Sequence, residues 1–131
     1  MSHYTTITTK LIAVETIKEA LKEMGFSIKC GENLPLYNYM GDKISKTADI
    51  VISRQQLNSA SNDIGLKKVG NSYEIIISDY DSAKIKTKNF VKDLTQKYAY
   101  LHVKKELART NFSIMKEYVL EDGTIQIMAE R

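Results

Sequence analysis

Cysteine occurs once in these 131 residues, at Cys30. That excludes an internal disulfide framework and a cysteine-built zinc cluster. Proline also occurs once, at Pro35, tryptophan is absent, and glycine occurs six times. The glycines form no phosphate-cradling loop: "KKVGNS" holds one in a turn, and "CGEN" does not lead into a helix. No G-x-S-x-G elbow and no C-x-x-C pair is present. No apolar run approaches the ~20 residues of a membrane-spanning helix, so no membrane partner is expected. The opening "MSHYTTITTK" lacks the charged-then-apolar pattern of a signal peptide. A reducing, cytoplasmic compartment is the expectation. The net charge of +3 is too mild to imply a nucleic-acid partner by itself.

What is present suits one folded domain spanning residues 1–131, with 43% hydrophobic and 27% charged residues. A chain of this size buries roughly two-thirds of its unfolded surface. The alternation and threonines of Ser2 to Thr9 predict a strand. Val14, Ile17, Leu21 and Met24 recur at steps of three and four, predicting a helix without a strong N-cap, because Ala13 precedes it. Gly25 is suited to end that helix in the left-handed region, with Phe26 folding back onto Leu21. Phe26, Ile28 and Cys30 then share one face of a strand. Gly31 to Lys46 reads as loop, although "LYNYM" could pair as a short edge strand.

"ADIVISR" reads as a buried strand and "QQLNSASN" as a mobile polar loop. "DIGLKKV" and "SYEIIIS" flank "GN", a hairpin signal. Ala83 to Thr110 is helical, but its apolar phase shifts from Phe90, Leu94 and Tyr98 to Tyr100, Val103 and Leu107. A break near "KYAY" is the simpler account. "NFSIMKEYVL" and "TIQIMAE" flank "EDG", the strongest hairpin signal in the chain. The expected architecture is therefore α+β: a mostly antiparallel mixed sheet packed against about three helices. The phrases "LKEMGFSIK" and "LARTNFSIMK" repeat near the two ends. Either a degenerate duplication of a βαββ unit or the shared needs of two helix-to-strand junctions accounts for them.

His3 and His102 are the only histidines, and neither has a nucleophile motif to serve, so structural roles are expected for both. Asp79 and Asp81 stand two apart, a spacing open to a hard cation, but Asp81 or Ser82 more readily caps a helix beginning at Ala83. Asp63 reads as a turn acceptor ahead of a strand. No catalytic residue, cofactor or metal is expected. Between Asp79 and Arg109 eight basic residues face four acidic ones, whereas residues 1–50 balance. Lys84, Lys88 and Lys92, spaced by four, line one helical face. A polyanion could bind there; a solvated face explains the lysines equally.

Read in order, "MSHYTTITTK", "LKEMGF", "DIG", "LTQKYAY", "NFSI" and "EDGTIQI" resemble the hypothetical chloroplast reading frame thirty-five family. This is a domain of unknown function in plastids, cyanobacteria, other bacteria and phages. The chain departs from that pattern after "KYAY", where members place a His and this chain has Leu101 then His102, so no role transfers to His102. The resemblance implies no activity and no catalytic residues. It implies a gene often placed near an AAA-type ATPase, and so an accessory role, with the plastid stroma as compartment if the chain is plastid-encoded.

Three functions follow as expectations. The first is a non-enzymatic accessory or adaptor domain that binds a protein partner through an exposed sheet face or edge. The second is a nucleic-acid-binding module using the basic segment 84–109. The third is a small-molecule-binding protein with a pocket lined by His3, Tyr37, Tyr39 and Tyr98. The candidate binding residues are thus His3, Tyr37, Tyr39, Lys84, Lys88, Lys92, Tyr98 and His102.

Overall fold

The computed structural model describes residues 4–8, 10–57, 61–79, 81, 89–110, 113–119 and 125–130. The alternating N-terminal stretch forms β1 (Tyr4–Thr8), and the apolar stripe that follows sits on α1 (Val14–Glu23). Ile17, Ala20 and Leu21 on that stripe are fully buried. The end of α1 matches its sequence signal. Gly25 takes a φ of +93°, its N–H donates to the Lys22 carbonyl at 3.0 Å, and that of Phe26 donates to the Leu21 carbonyl at 3.1 Å. This pair of bonds is a Schellman closure, which needs a left-handed residue at that position. Phe26 packs against the core cluster containing Leu21 and meets Phe90 edge-on, ring centres 5.8 Å apart. The matching junction at Asn111 and Phe112 lies outside the described residues.

Four further strands complete one sheet: β2 (Lys29–Tyr37), β3 (Lys43–Ile52), β4 (Ile64–Val69) and β5 (Ser72–Ser78). Its order is β1-β5-β4-β3-β2, antiparallel throughout. Most of the segment read as a loop from Gly31 to Lys46 is instead the β2–β3 hairpin. Pro35 does not prevent this, because β2 is an edge strand and the missing N–H breaks no inner ladder. The register of β2 slips between Cys30 and Leu34 and again between Pro35 and Tyr37, and Asn33 at the first slip is left-handed, with φ +51°. The "GN" hairpin forms as expected, with Val69 opposite Ser72 and Gly70 at φ +63°. The polar "QQLNSASN" segment starts well anchored. Gln56 exchanges two 2.7 Å hydrogen bonds with the backbone of Ser27, and Leu57 is buried.

The helix expected to break near "KYAY" is continuous, α2 (Phe90–Arg109), so α1 and α2 are the helices packed on the sheet where about three were expected. Only Phe90, Leu94, Tyr98 and Leu101 are buried along it. Tyr100 is half-buried beneath the Lys104 ammonium, 4.9 Å from its ring centre, and Val103 is 41% exposed. Tyr100 still packs at the margin of the core while Val103 turns outward, so one helix serves both phases. β6 (Ser113–Val119) and β7 (Ile125–Glu130) form a separate two-stranded sheet against α2. The element order reads βαββ twice, as β1-α1-β2-β3 and β5-α2-β6-β7. The pairing does not repeat: the first hairpin joins the sheet of β1, while β6 and β7 pair with each other.

Alternation along β3, β4 and β5 sends Ile50, Ile52, Ile64, Leu66, Ile75 and Ile77 to one face, where they meet Ile17, Leu21, Leu94, Tyr98 and Leu101. Each such side chain contributes about 1.5–3 kcal/mol by leaving water. The opposite face holds Leu36, Ala48, Val51 and Ile76, with Tyr4, Leu34 and Ile44 around them. Gly65 lies under that cluster. A Cβ there would stand 2.7 Å from Ala48 Cβ and 3.0 Å from a Leu36 methyl, so the hairpin seats only over glycine.

Candidate functional site

The loop before β4 supplies a buried polar knot. The Asn62 side chain is 0% exposed; its amide nitrogen donates to Ser78 Oγ at 3.0 Å and to Asp81 Oδ2 at 3.1 Å. Its oxygen accepts from the Tyr39 N–H at 2.8 Å. Ser78 Oγ donates to the same Asp81 oxygen at 2.5 Å. Asp63 accepts backbone N–H groups on both oxygens, from Arg54 at 2.7 Å and Tyr37 at 2.9 Å, and returns its own N–H to the Tyr37 carbonyl. Asp63 is thus the expected acceptor, but one that ties the far end of β2 to the start of β4. The Asp79–Asp81 pair does not converge: Asp79 is exposed and Asp81 fully buried. Asp79 and Asp81 are already helical, and the Asp81 N–H donates to Ser78 Oγ at 3.1 Å, so Ser78 rather than Asp81 caps this turn; Ser82, the other expected cap, lies outside the described residues.

The buried hydroxyls of Tyr4 and Ser61 find no hydrogen-bond partner among the described residues. Burial, and then the nearby carboxylates of Asp63 and Asp81, push the Tyr4 phenol well above the usual tyrosine range. An ionised phenolate there would meet two negative neighbours away from water.

Beside this knot lies a polar cavity of about 250 Å³, lined by Lys29, Tyr37, Gly41, Ser53, Arg54, Gln55 and Asp63. Lys29 and Tyr37 come from opposite ends of β2. Eight extended steps at ~3.3 Å would hold them about 26 Å apart, so the two register slips must bend the strand. Arg54 reaches under the β2–β3 turn, where its Nη1 donates to the Tyr39 carbonyl at 3.3 Å.

A second cavity, of about 240 Å³, is an apolar groove between α2 and the segment leading into α1. Lys10, Leu11, Thr95, Tyr98, Ala99, His102 and Val103 line it. Tyr98 is 9% exposed, and its hydroxyl oxygen accepts the N–H groups of Ile12 at 3.1 Å and Ala13 at 3.0 Å. His102 stacks on the Tyr98 ring, 5.8 Å between centres and 8° from parallel. Ile12 is 59% exposed beside this segment.

The candidate residues therefore separate. Tyr98 and His102 share the apolar groove, Tyr37 lines the polar cavity, and Tyr39 lines neither, so these two cavities do not form one tyrosine pocket. Lys92 is exposed on α2. His3, Lys84 and Lys88 lie outside the described residues. Of the other basic residues in the segment, Lys97 pairs with Glu23 at 3.8 Å, Lys105 with Glu19 at 2.8 Å and Arg109 with Glu106 at 2.6 Å. Arg54, Lys29 and Asn62 had no sequence signal. Their roles depend on a strand bend and on contacts between distant segments.

No described helix is long and apolar enough to cross a membrane. No group of three or more His, Cys, Asp or Glu placed to hold a metal occurs among the described residues. No solved structure matches the chain. Three curated relatives are each named uncharacterized protein ycf35. That of Cyanophora paradoxa is 27% identical, that of Pyropia yezoensis 25% and that of Guillardia theta 28%. Each alignment covers 100% of this chain and 98% of the relative. Residues 20–128 match the family described as "Protein of unknown function (DUF1257)", and because that match spans most of its length, the chain belongs to this family.

Proposed function

We propose that the protein is a non-enzymatic accessory or adaptor domain that acts by binding a protein partner. The observation that carries this reading is the apolar groove along α2, lined by Leu11, Tyr98 and the exposed Ala99 and Val103. Its wall is tied in place, because the Tyr98 hydroxyl accepts the Ile12 and Ala13 N–H groups just ahead of α1. A preformed apolar groove on a helix suits a partner's amphipathic segment. The sheet offers less. One face carries both helices, the other is closed over Leu36 and Val51, and the β2 edge is blunted by bulges and Pro35. An AAA-type ATPase, the partner class implied by the family resemblance, is the first to test. The plastid stroma is the compartment we propose if the gene is plastid-encoded, and the cytoplasm otherwise.

The test compares tagged wild-type chain with an Ala99→Glu/Val103→Glu variant, purified from the native host after nuclease treatment. Both positions are exposed, so stability should change by no more than about 0.5 kcal/mol per site. A stoichiometric protein present with wild type and absent with the variant supports the reading. Co-purification of nucleic acid with steep salt dependence supports the basic segment 84–109 instead. Retention of the partner by the variant overturns the groove.

A further inference from the structure

We propose that the polar cavity between the two ends of β2 binds a small oxyanion, a phosphate or carboxylate group, with Arg54 and Lys29 as its charge partners. Neither residue forms an ion pair among the described residues, yet both line the same enclosure. Arg54 is half-buried, and a guanidinium withdrawn from water ordinarily has a carboxylate or phosphate to meet. The Tyr39 carbonyl engages Nη1 and fixes the orientation of the guanidinium. Other donors of its five remain for a ligand.

The neutral lining points the same way. The Ser53 hydroxyl donates to Gln55 Oε1, which leaves the Gln55 amide nitrogen as a donor. Asp63 is the one carboxylate in the wall, and both of its oxygens are already engaged by the backbone N–H groups of Arg54 and Tyr37. It shapes the cavity while leaving a net positive charge. Donors thus outnumber free acceptors, the condition for an oxyanion rather than a cation or a sugar. At about 250 Å³ the space lies below the ~300–1,000 Å³ of drug-sized sites, so the ligand is small. The site exists only because β2 bends. Lys29 pairs with Val51, close to Arg54 in the chain, whereas Tyr37 pairs with Lys43; a straight strand would carry Tyr37 away from both, and this gives the register slips at Cys30–Leu34 and Pro35–Tyr37 a purpose beyond guarding an edge.

The full-length, ¹⁵N-labelled chain is titrated with inorganic phosphate, with malonate and, as a neutral control, with glycerol, at constant ionic strength. Amide signals of Gly41, Ser53, Arg54 and Gln55 should shift saturably with phosphate, with malonate or with both. Phosphate alone identifies a tetrahedral group, and malonate alone a planar carboxylate. Arg54→Gln should weaken that binding about tenfold or more, since a charge-assisted bond is lost. Lys29→Gln, at an exposed position, should weaken it severalfold and carries the test if Arg54→Gln does not fold. Absence of a saturable shift with either anion, an equal shift with glycerol, or unchanged affinity in the folded variants overturns the proposal.

Discussion

Tyr98 caps α1 from 85 residues away: the Ala13 N–H donates to its hydroxyl oxygen at 3.0 Å. Helix starts leave N–H groups without internal partners, and here no side chain near Ala13 supplies one. A residue of α2 does so, coupling the start of one helix to the middle of the other. Tyr98→Phe keeps the packed ring and removes the acceptor. It should cost about 1–2 kcal/mol, whereas Tyr98→Ala should cost about 3–5 kcal/mol. Urea denaturation of the two variants measures both. If Tyr98→Phe is neutral, water replaces the hydroxyl and the cap is not structural.

Gly25 stands at φ +93° with nothing within 4 Å of an added Cβ. The cost of Gly25→Ala is therefore backbone strain alone, about 1 kcal/mol. Gly25→Asn should cost less, because asparagine tolerates the left-handed region. Thermal or chemical denaturation should rank them Gly, Asn, Ala.

Gly65 presents the opposite case, a position limited by space. Gly65→Ala drives a methyl group to 2.7 Å from Ala48 Cβ and should destabilise by about 1–3 kcal/mol through overpacking. Ala48→Gly in the same chain should recover part of that loss. A double-mutant cycle with no coupling between the two would place the strain elsewhere.

Asp49 joins β2, β3 and β4. Its Oδ1 accepts the Asn33 N–H at 3.2 Å, its Oδ2 accepts the Lys68 N–H at 2.9 Å, and Lys67 lies 3.6 Å away. Burial works to raise its pKa, but the N–H groups of Lys68 and Asn33 and the Lys67 ammonium outweigh it and hold the carboxyl below its ordinary 3.8. A lowered folded-state pKa means that the unfolded chain binds the proton first as pH falls. The stabilisation is therefore fully present above about pH 5 and lost below pH 3.8, as pH drops through the folded-state value. Asp49→Asn should be less stable at neutral pH and lose less on acidification. Urea midpoints from neutral to acid pH, parallel in the two proteins, would exclude this contribution.

The periodicity of Ile17, Ala20 and Leu21, the left-handed stop at Gly25, the "GN" turn and the alternation of the isoleucine-rich strands were legible because each is settled within a few residues. Local sterics and one buried face leave little choice there. The same local reasoning misplaced a break at "KYAY", since a change of apolar phase does not reveal which stripe meets the sheet. It also read Gly31 to Lys46 as loop, with "LYNYM" only a possible edge strand, since Pro35 is a breaker in an inner strand and harmless at an edge, and edge status is a property of the assembled sheet. Tyr98 and His102 were recognisable as aromatic neighbours on a helix. That Tyr98 would cap α1 was not, because its partners lie 85 and 86 residues away. Arg54, Lys29 and Asp63 drew no attention as a group for the same reason. Their meeting depends on two register slips bending the β2–β3 hairpin, and hydrogen bonds between segments remote in sequence, not any spacing within a motif, decide that geometry.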